Sequence, residues 1–321
     1  MHVNVPGKVF IMGEYTVMDR QSKAIIAPTM RRLDVIITPA QTYRYESSFD
    51  GIMEADSLGE LAQKLPSNLL TSVLPYISPL DAEKKCETPL KIRIESHLDS
   101  GKIPYGLGSS GAVRVGLIKA FMAYLERPLD ALEIFQIAAL SSEKDTSSYG
   151  DFAVSSFDRA ILYQKPATLN PLSHMVIDPV GVPPFLIVHT GEKVSSKPFV
   201  DAYMARRDEA FVKAYADAIN PLIDTFKSAP VEAQLAKIHA AHKAYLMFAE
   251  ALDPAIIPES FIPIFVAIEA TGGIPKVSGA GGGDNILAFY PTEDALRNAE
   301  QILVQTYPIF HPARSLDAKK K

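Results

Sequence analysis

The run YGLGSSGAV (105–113) most constrains what this chain can fold into. Ahead of it, LKIRIESHL (90–98) alternates apolar and polar residues, the pattern of a half-buried strand. Behind it, SSGAVRVGLIKAFMAYLE (109–126) places Val113, Leu117, Phe121 and Leu125 four apart, one apolar stripe at helical period. A glycine turn between strand and helix lets several backbone amides point toward one place. The helix behind it adds unpaired N–H groups and the positive end of its dipole, so the segment suits an anion. Ser109 and Ser110 add hydroxyls able to cap the helix, bond a phosphate or hold Mg2+. A plain Gly-Ser turn before an N-capped helix accounts for the glycine density equally well.

The same residues fit GxGxxG from Gly106 to Gly111, the pattern of a dinucleotide site. The context argues against that use. The match is not in an N-terminal βαβ unit, and Glu126, the nearest acidic candidate, belongs to the helix rather than to a second strand. The two serines after the second glycine suit phosphate and metal better.

Strands are also expected around 9–17, 24–29, 32–40, 153–164, 183–191 and 285–290. Helices are expected at 128–144, 198–220, 230–252, 259–270 and 292–306, the last opening on Thr292, Glu293 and Asp294. A strand-rich first half and a helix-rich second half predict an α+β architecture in two domains. The proline-containing stretch 169–184 is the expected boundary.

Composition narrows the function classes. A net charge of −5 and the absence of any block of five like charges argue against a nucleic-acid partner. The terminal AKKK (318–321) reads as a solvated end. The longest apolar run, near 261–268, falls well short of the roughly 18–20 residues of a membrane span. The N-terminus has no basic segment followed by an apolar stretch, so no secretory signal is expected. Cys86 is the single cysteine, which excludes an internal disulfide and points to a reducing, cytoplasmic setting. Cys86 itself sits in the charged EKKCE and reads as exposed. His239 and His242 lie three apart on an expected helix, but no acidic residue is spaced to complete a metal site, so they read as ordinary helix residues.

Two further segments carry glycine or lysine in telling places. VSGAGGGDN (277–285) leaves a bare backbone that a bulky polar ligand could approach, or else forms a hairpin loop. PGKVFIMGEY (6–15) puts Lys8 beside a glycine on the first strand, which alone says little.

Taken in order, GKVFIMGEYTV, YGLGSSGAV and KVSGAGGGDN resemble the three motifs of the GHMP kinase superfamily. The closer likeness is to its bacterial phosphomevalonate kinase branch, carried by GEYTVM (13–18), YGLGSSGAV, SSYGDFAVSSFDRAILYQ (147–164), SGAGGGDN (278–285) and the EKVSS segment (192–196). Three departures stand out. Pro104 occupies a place where that branch commonly has Lys, Asn285 replaces a frequent Cys, and Glu143 is only eight residues before Asp151.

The resemblance implies the two-domain GHMP kinase fold. A ribosomal protein S5 domain 2-like N-terminal domain (1–176) would bind ATP, and a ferredoxin-like C-terminal domain (177–321) would follow. It implies ATP-dependent phosphorylation of 5-phosphomevalonate, with ATP and Mg2+ as cofactors, in a cytoplasmic enzyme for which a homodimer is compatible. Mevalonate kinase, homoserine kinase, diphosphomevalonate decarboxylase and a non-catalytic nucleotide binder are the rivals. Site residues carry over by position. Tyr105, Gly106, Leu107, Gly108, Ser109, Ser110 and Gly111 would hold the ATP phosphates, and Ser110 with Glu143 would hold Mg2+. Lys8 and Asp151 match the catalytic pair. Tyr15, Ser147, Lys193, Ser195, Ser196, Ser278, Gly281 and Gly282 would meet the acceptor, with Lys197 in reserve. A phosphate monoester is mostly dianionic at neutral pH, so a base is largely redundant. Asp151 is therefore expected to orient Lys8, while Lys8 offsets repulsion between two anionic phosphates.

Overall fold

The computed structural model describes residues 1–19, 22–65, 68–99, 105–142, 148–169, 172–173, 176–192 and 194–313. The chain opens with strand β1 (His2–Met12), a 3-10 turn (Thr16–Met18) and the long strand β2 (Lys23–Pro39). Strands β3 (Tyr43–Ser47) and β4 (Gly51–Ala55), helices α1 (Leu58–Lys64) and α2 (Leu69–Ile77), and strand β5 (Leu90–Ser96) follow. Then come α3 (Ser109–Tyr124), α4 (Ala131–Leu140) and α5 (Gly150–Phe157). Short strands β6 (Ile161–Gln164), β7 (Thr168–Leu169), β8 (Leu172–Ser173), β9 (Val176–Pro179) and β10 (Phe185–His189) lead to a helical stretch. That stretch is α6 (Lys197–Arg206), α7 (Ala210–Asp224), α8 (Val231–Leu252) and α9 (Phe261–Ala270). The chain closes with β11 (Ile274–Ser278), β12 (Asn285–Phe289), α10 (Glu293–Leu303) and β13 (Ile309–Phe310).

Two compact units form, each from several stretches of sequence. The first takes Met1–Gly7, Arg31–Asp158 and Thr168–Ser173, and the second takes Lys8–Met30, Arg159–Ala167 and the chain from His174 onward. The architecture is α+β, as the sequence predicts.

In the first unit, β5 pairs antiparallel with the end of β2, Val35 opposite Ile94, and parallel with β3, Tyr45 opposite Ile92. Parallel neighbours need a crossover connection, which α1 and α2 supply between β4 and β5. Helix α3 lies close on this sheet. A methyl added to Gly116 would stand 2.7 Å from a Val35 methyl and 3.5 Å from one of Val5, so only glycine lets the helix approach this far. Helix α4 begins with a capping box: the Asp130 carboxylate accepts from the Glu133 amide and the Glu133 carboxylate from the Asp130 amide, each at 2.8 Å.

The second unit holds the antiparallel sheet β11-β12-β10-β13, with Val277 opposite Ile286 and Ile187 opposite Leu287. Every residue of β10 and β12 is buried, so these strands read as continuous apolar runs rather than alternating ones. Helices α8 and α9 pack on β11, and α10 packs on β10. Thr292 caps α10 by accepting from the Ala295 amide at 3.1 Å, with Glu293 and Asp294 in the first turn as expected. The first residues of β2 pair with β6, and β6 with β9. No helix among the described residues is long and apolar enough to cross a membrane.

Several local expectations differ from the structure. The strand expected at 9–17 ends at Met12, and those expected at 24–29 and 32–40 belong to one strand that ends at Pro39. The helical pattern at 198–220 divides into α6 and α7. Residues 153–157 are helical, not extended. Ala153, Val154, Ser155 and Ser156 are all buried, so no polar face marks the helical period there.

Candidate active site

The glycine turn of the first unit is anchored by Leu107, which is buried, while Gly106 and Gly108 adopt positive φ of 65° and 75°. Gly108 is the N-cap of α3 and, as a glycine, has no side chain to cap that end. Ser109 and Ser110 lie inside the first turn, with Ser110 exposed, so neither occupies the cap position. The N-cap residue therefore leaves the first amides of α3 uncapped by its own side chain, which suits an anion. The ring of Tyr105 carries the Arg31 guanidinium at 4.7 Å, and Arg31 donates to the His97 carbonyl at 3.1 Å, which steadies the entry to the turn.

Helix α5 brings Asp151 to this turn. Asp151 occupies the first turn of α5, and its carboxyl group rests on Gly111: a methyl there would stand 2.7 Å from the Asp151 carboxyl carbon. The other end of α5 is held by Lys119 of α3. Its ammonium donates to the carbonyls of Ser155 at 2.9 Å and Ser156 at 3.1 Å. Burial pushes the Lys119 pKa down to about 8, helped by Arg32 and opposed by Asp158. The Ser155 hydroxyl donates to the Pro6 carbonyl at 3.1 Å, and Arg32 pairs with Asp158 just after the helix. Asp151 therefore sits on a helix fixed at its far end. Glu143 and Ser147 lie outside the described residues.

In the second unit, Lys8 is half-buried on β1, its ammonium 5.2 Å from the Phe10 ring. The amide of Phe10 donates to the Ser278 hydroxyl at 2.9 Å, tying the first strand to the start of the 278–285 loop. Tyr15 is 4% exposed and donates from its hydroxyl to the Ala280 carbonyl at 2.5 Å. Burial drives its pKa far up, so this hydroxyl stays protonated and committed to the loop. Tyr203, Tyr245 and Phe248 surround its ring at 5.5, 6.2 and 5.1 Å.

The glycines of the 278–285 loop are demanded by close approach. A methyl on Gly281 would meet the Ile256 carbonyl oxygen at 2.5 Å, and one on Gly282 would meet the Phe199 ring at 2.5 Å and Val194 at 3.0 Å. Val194 and Phe199 flank Ser195 and Ser196, so the packing brings these exposed serines beside the loop. Ser195 accepts from the Lys197 amide at 3.4 Å, and Ser196 is the N-cap position of α6. Lys193 lies outside the described residues.

Sequence reasoning missed the charged pair beneath this loop. Lys276 of β11 and Glu14 are 0% and 2% exposed and meet at 2.7 Å. A lysine inside a strand whose neighbours are apolar was the available signal, but nothing in the sequence names its partner.

Other features carry less. Cys86 is half-buried rather than exposed, and burial followed by Asp81 pushes its thiol up to about 12, which leaves it unreactive. His242 is buried against Phe265, and burial followed by the Lys276 charge lowers its pKa to about 3. Among the described residues no group of three or more His, Cys, Asp or Glu could hold a metal.

A glycine turn that opens a helix, with a carboxylate seated on the helix's first turn, is an arrangement able to receive a phosphate. The family model for the GHMP kinases N terminal domain matches residues 68–159, which contain both features. This stretch is similar to the GHMP kinases. A phosphomevalonate kinase of Streptomyces sp. (strain CL190) is 25% identical over 337 residues, covering 90% of each chain. A mevalonate kinase of Dictyostelium discoideum is 25% identical over 373 residues, covering 94% of this chain and 91% of that one. The structure of Streptococcus pneumoniae phosphomevalonate kinase in complex with phosphomevalonate and AMPPNP superposes with a TM-score of 0.80 at 20% identity, covering 98% of this chain and 100% of that one. The chain thus has the GHMP kinase fold over nearly its full length.

Proposed function

We propose that the protein transfers the γ-phosphoryl group of ATP to the phosphate of 5-phosphomevalonate, giving 5-diphosphomevalonate and ADP in the mevalonate route to isoprenoids. The observation that carries this reading is the glycine turn that opens α3, with Gly108 at the N-cap and the Asp151 carboxyl seated on Gly111. Full-length likeness to enzymes named for phosphomevalonate and mevalonate supports the acceptor class.

In this reading the amides of 106–111 grip the ATP phosphates. The acceptor's phosphate oxygen bonds to the γ-phosphorus as the bond to ADP breaks, and charge spreads over the transferring oxygens. Lys8 offsets repulsion between the two anions. The acceptor phosphate has a second pKa near 6 and arrives mostly deprotonated, so Asp151 need not act as a base. Tyr15, Ser278, Gly281 and Gly282 shape the acceptor side, with Ser195 and Ser196 beside them.

Mg2+ suits the oxygen donors of this turn. The exposed Ser110 hydroxyl would hold it, joined by Glu143, and most of its remaining ligands would be phosphate oxygens and water. Bound there, it would neutralise charge on the phosphates.

A coupled ADP-release assay against mevalonate, 5-phosphomevalonate, 5-diphosphomevalonate and homoserine tests the proposal. Turnover of 5-phosphomevalonate alone is expected. Turnover of mevalonate without its monophosphate would make the protein a mevalonate kinase, the reading that the Dictyostelium likeness favours. Release of CO2 from the diphosphate would make it a decarboxylase.

A further inference from the structure

Glu14 and Lys276 stand 262 residues apart in sequence, are almost fully buried, and have no part in the phosphoryl transfer described above. The Lys276 ammonium donates to Glu14 Oε1 at 2.7 Å and to the Val277 carbonyl at 2.5 Å, and lies 4.7 Å from the Tyr245 ring. Glu14 Oε2 has no hydrogen-bond partner. Burial disfavours the charged form of Lys276, and Glu14 opposes that effect. Such a pair is a poor source of stability, because desolvating two charges offsets most of their attraction. Its contribution must be sought in geometry.

Three residues hold the 278–285 loop, two of them adjoining the pair. Tyr15, the neighbour of Glu14, donates to the Ala280 carbonyl at 2.5 Å. Tyr245, beneath Lys276, donates to the Gly279 carbonyl at 3.1 Å. Phe10 donates its amide to the Ser278 hydroxyl at 2.9 Å. Tyr15 adopts φ 65° and ψ −58°, a costly conformation for a tyrosine, which persists only where its surroundings determine it. The anchored Glu14 side chain is one such constraint.

We propose that the Glu14–Lys276 pair is a positioning element that fixes residues 278–282 as the acceptor-phosphate subsite. The acceptor part rests on the reaction proposed above; the ordering of the loop does not. The pair acts through the loop, and neither residue touches the reacting atoms.

The test compares Glu14→Gln, Lys276→Met and the double variant. Each single change leaves one buried polar or charged partner mismatched, whereas the double removes both charges and is expected to regain most of the wild-type unfolding midpoint. In the refolded double variant, amide hydrogen exchange across 279–284 is expected to rise about tenfold or more. KM for 5-phosphomevalonate is expected to rise by about the same factor while KM for ATP stays within about twofold. A purely stabilising pair would recover stability, loop exchange and KM together, and that result overturns the proposal. Equal rises in both KM values would also overturn it. Should the double variant not fold, Glu14→Gln carries the same readouts, since it keeps side-chain shape while removing one charge of the pair. If the wild-type enzyme fails to turn over 5-phosphomevalonate, the proposed reaction falls, and loop exchange still decides the positioning role.

Discussion

The carboxyl group of Asp151 rests on the α-carbon of Gly111, so close that a methyl at Gly111 would stand 2.7 Å from the carboxyl carbon. Glycine is needed there for room, since no positive φ is recorded at Gly111. Gly111→Ala is therefore expected to displace Asp151. The stability change should be small, because a helix-propensity gain of about 1 kcal/mol opposes a clash costing about 1–3 kcal/mol. The rate should suffer more, with kcat falling about tenfold or more as this positioning carboxylate moves. Steady-state ADP release beside thermal unfolding checks this. A variant within twofold of wild type would remove Asp151's seat from the mechanism.

Lys8 and Asp151 should differ in weight. On the proposed reaction, Lys8→Met removes the charge that offsets repulsion between the two phosphates and is expected to cost about 100–1,000-fold in kcat. Asp151→Asn should cost less than the roughly 100-fold that a positioned base supplies. The kcat profile should lack an acidic limb that disappears with Asp151→Asn. A larger loss for Asp151→Asn than for Lys8→Met would restore general-base catalysis.

Gly282 combines a φ of +77° with a neighbour, the Phe199 ring, that a methyl would meet at 2.5 Å. Gly282→Ala should lose about 1–3 kcal/mol of stability and raise KM for the acceptor. Gly191→Ala is the control, because Gly191 shares a φ of +82° but has open space where the methyl would go. Its loss should stay near 1–2 kcal/mol with acceptor KM unchanged. Denaturant titration and KM values distinguish strain from clash.

His242 should make the protein acid-sensitive. Its folded pKa is lowered from 6.5 to about 3, so between those values the unfolded chain holds a proton that the folded chain does not. Stability from this group is intact above pH 6.5 and is lost as pH falls toward 3. The loss should be on the order of 2–4 kcal/mol, and His242→Leu should flatten it. Urea titrations of both proteins at pH 7 and pH 4.5 measure the difference. Parallel pH slopes would show that His242 does not titrate across folding.

Local signals were readable wherever a few neighbouring residues carry them. The α3 stripe from Val113 to Leu125, the acidic start of α10 and the Gly106–Gly111 turn all depend on residues within one or two turns of one another. Helix α5 was not readable because burial on every side erased its period, and its ends are set by Tyr149 at positive φ and by Lys119, a residue from another helix. The reason for glycine at position 111 was equally hidden, since Asp151 arrives from forty residues away.

The order of the three glycine- and lysine-bearing segments, the net negative charge without a block of five like charges and the α+β pattern were determined by sequence alone, because each is a property of composition or of near neighbours. Tertiary structure alone decided that Lys276 finds Glu14, that Tyr15 turns inward to bind the Ala280 carbonyl and that Gly282 must clear Phe199. Those contacts join residues far apart along the chain. A buried charge or an absent side chain shows that some partner is required, and only the packed fold specifies which one.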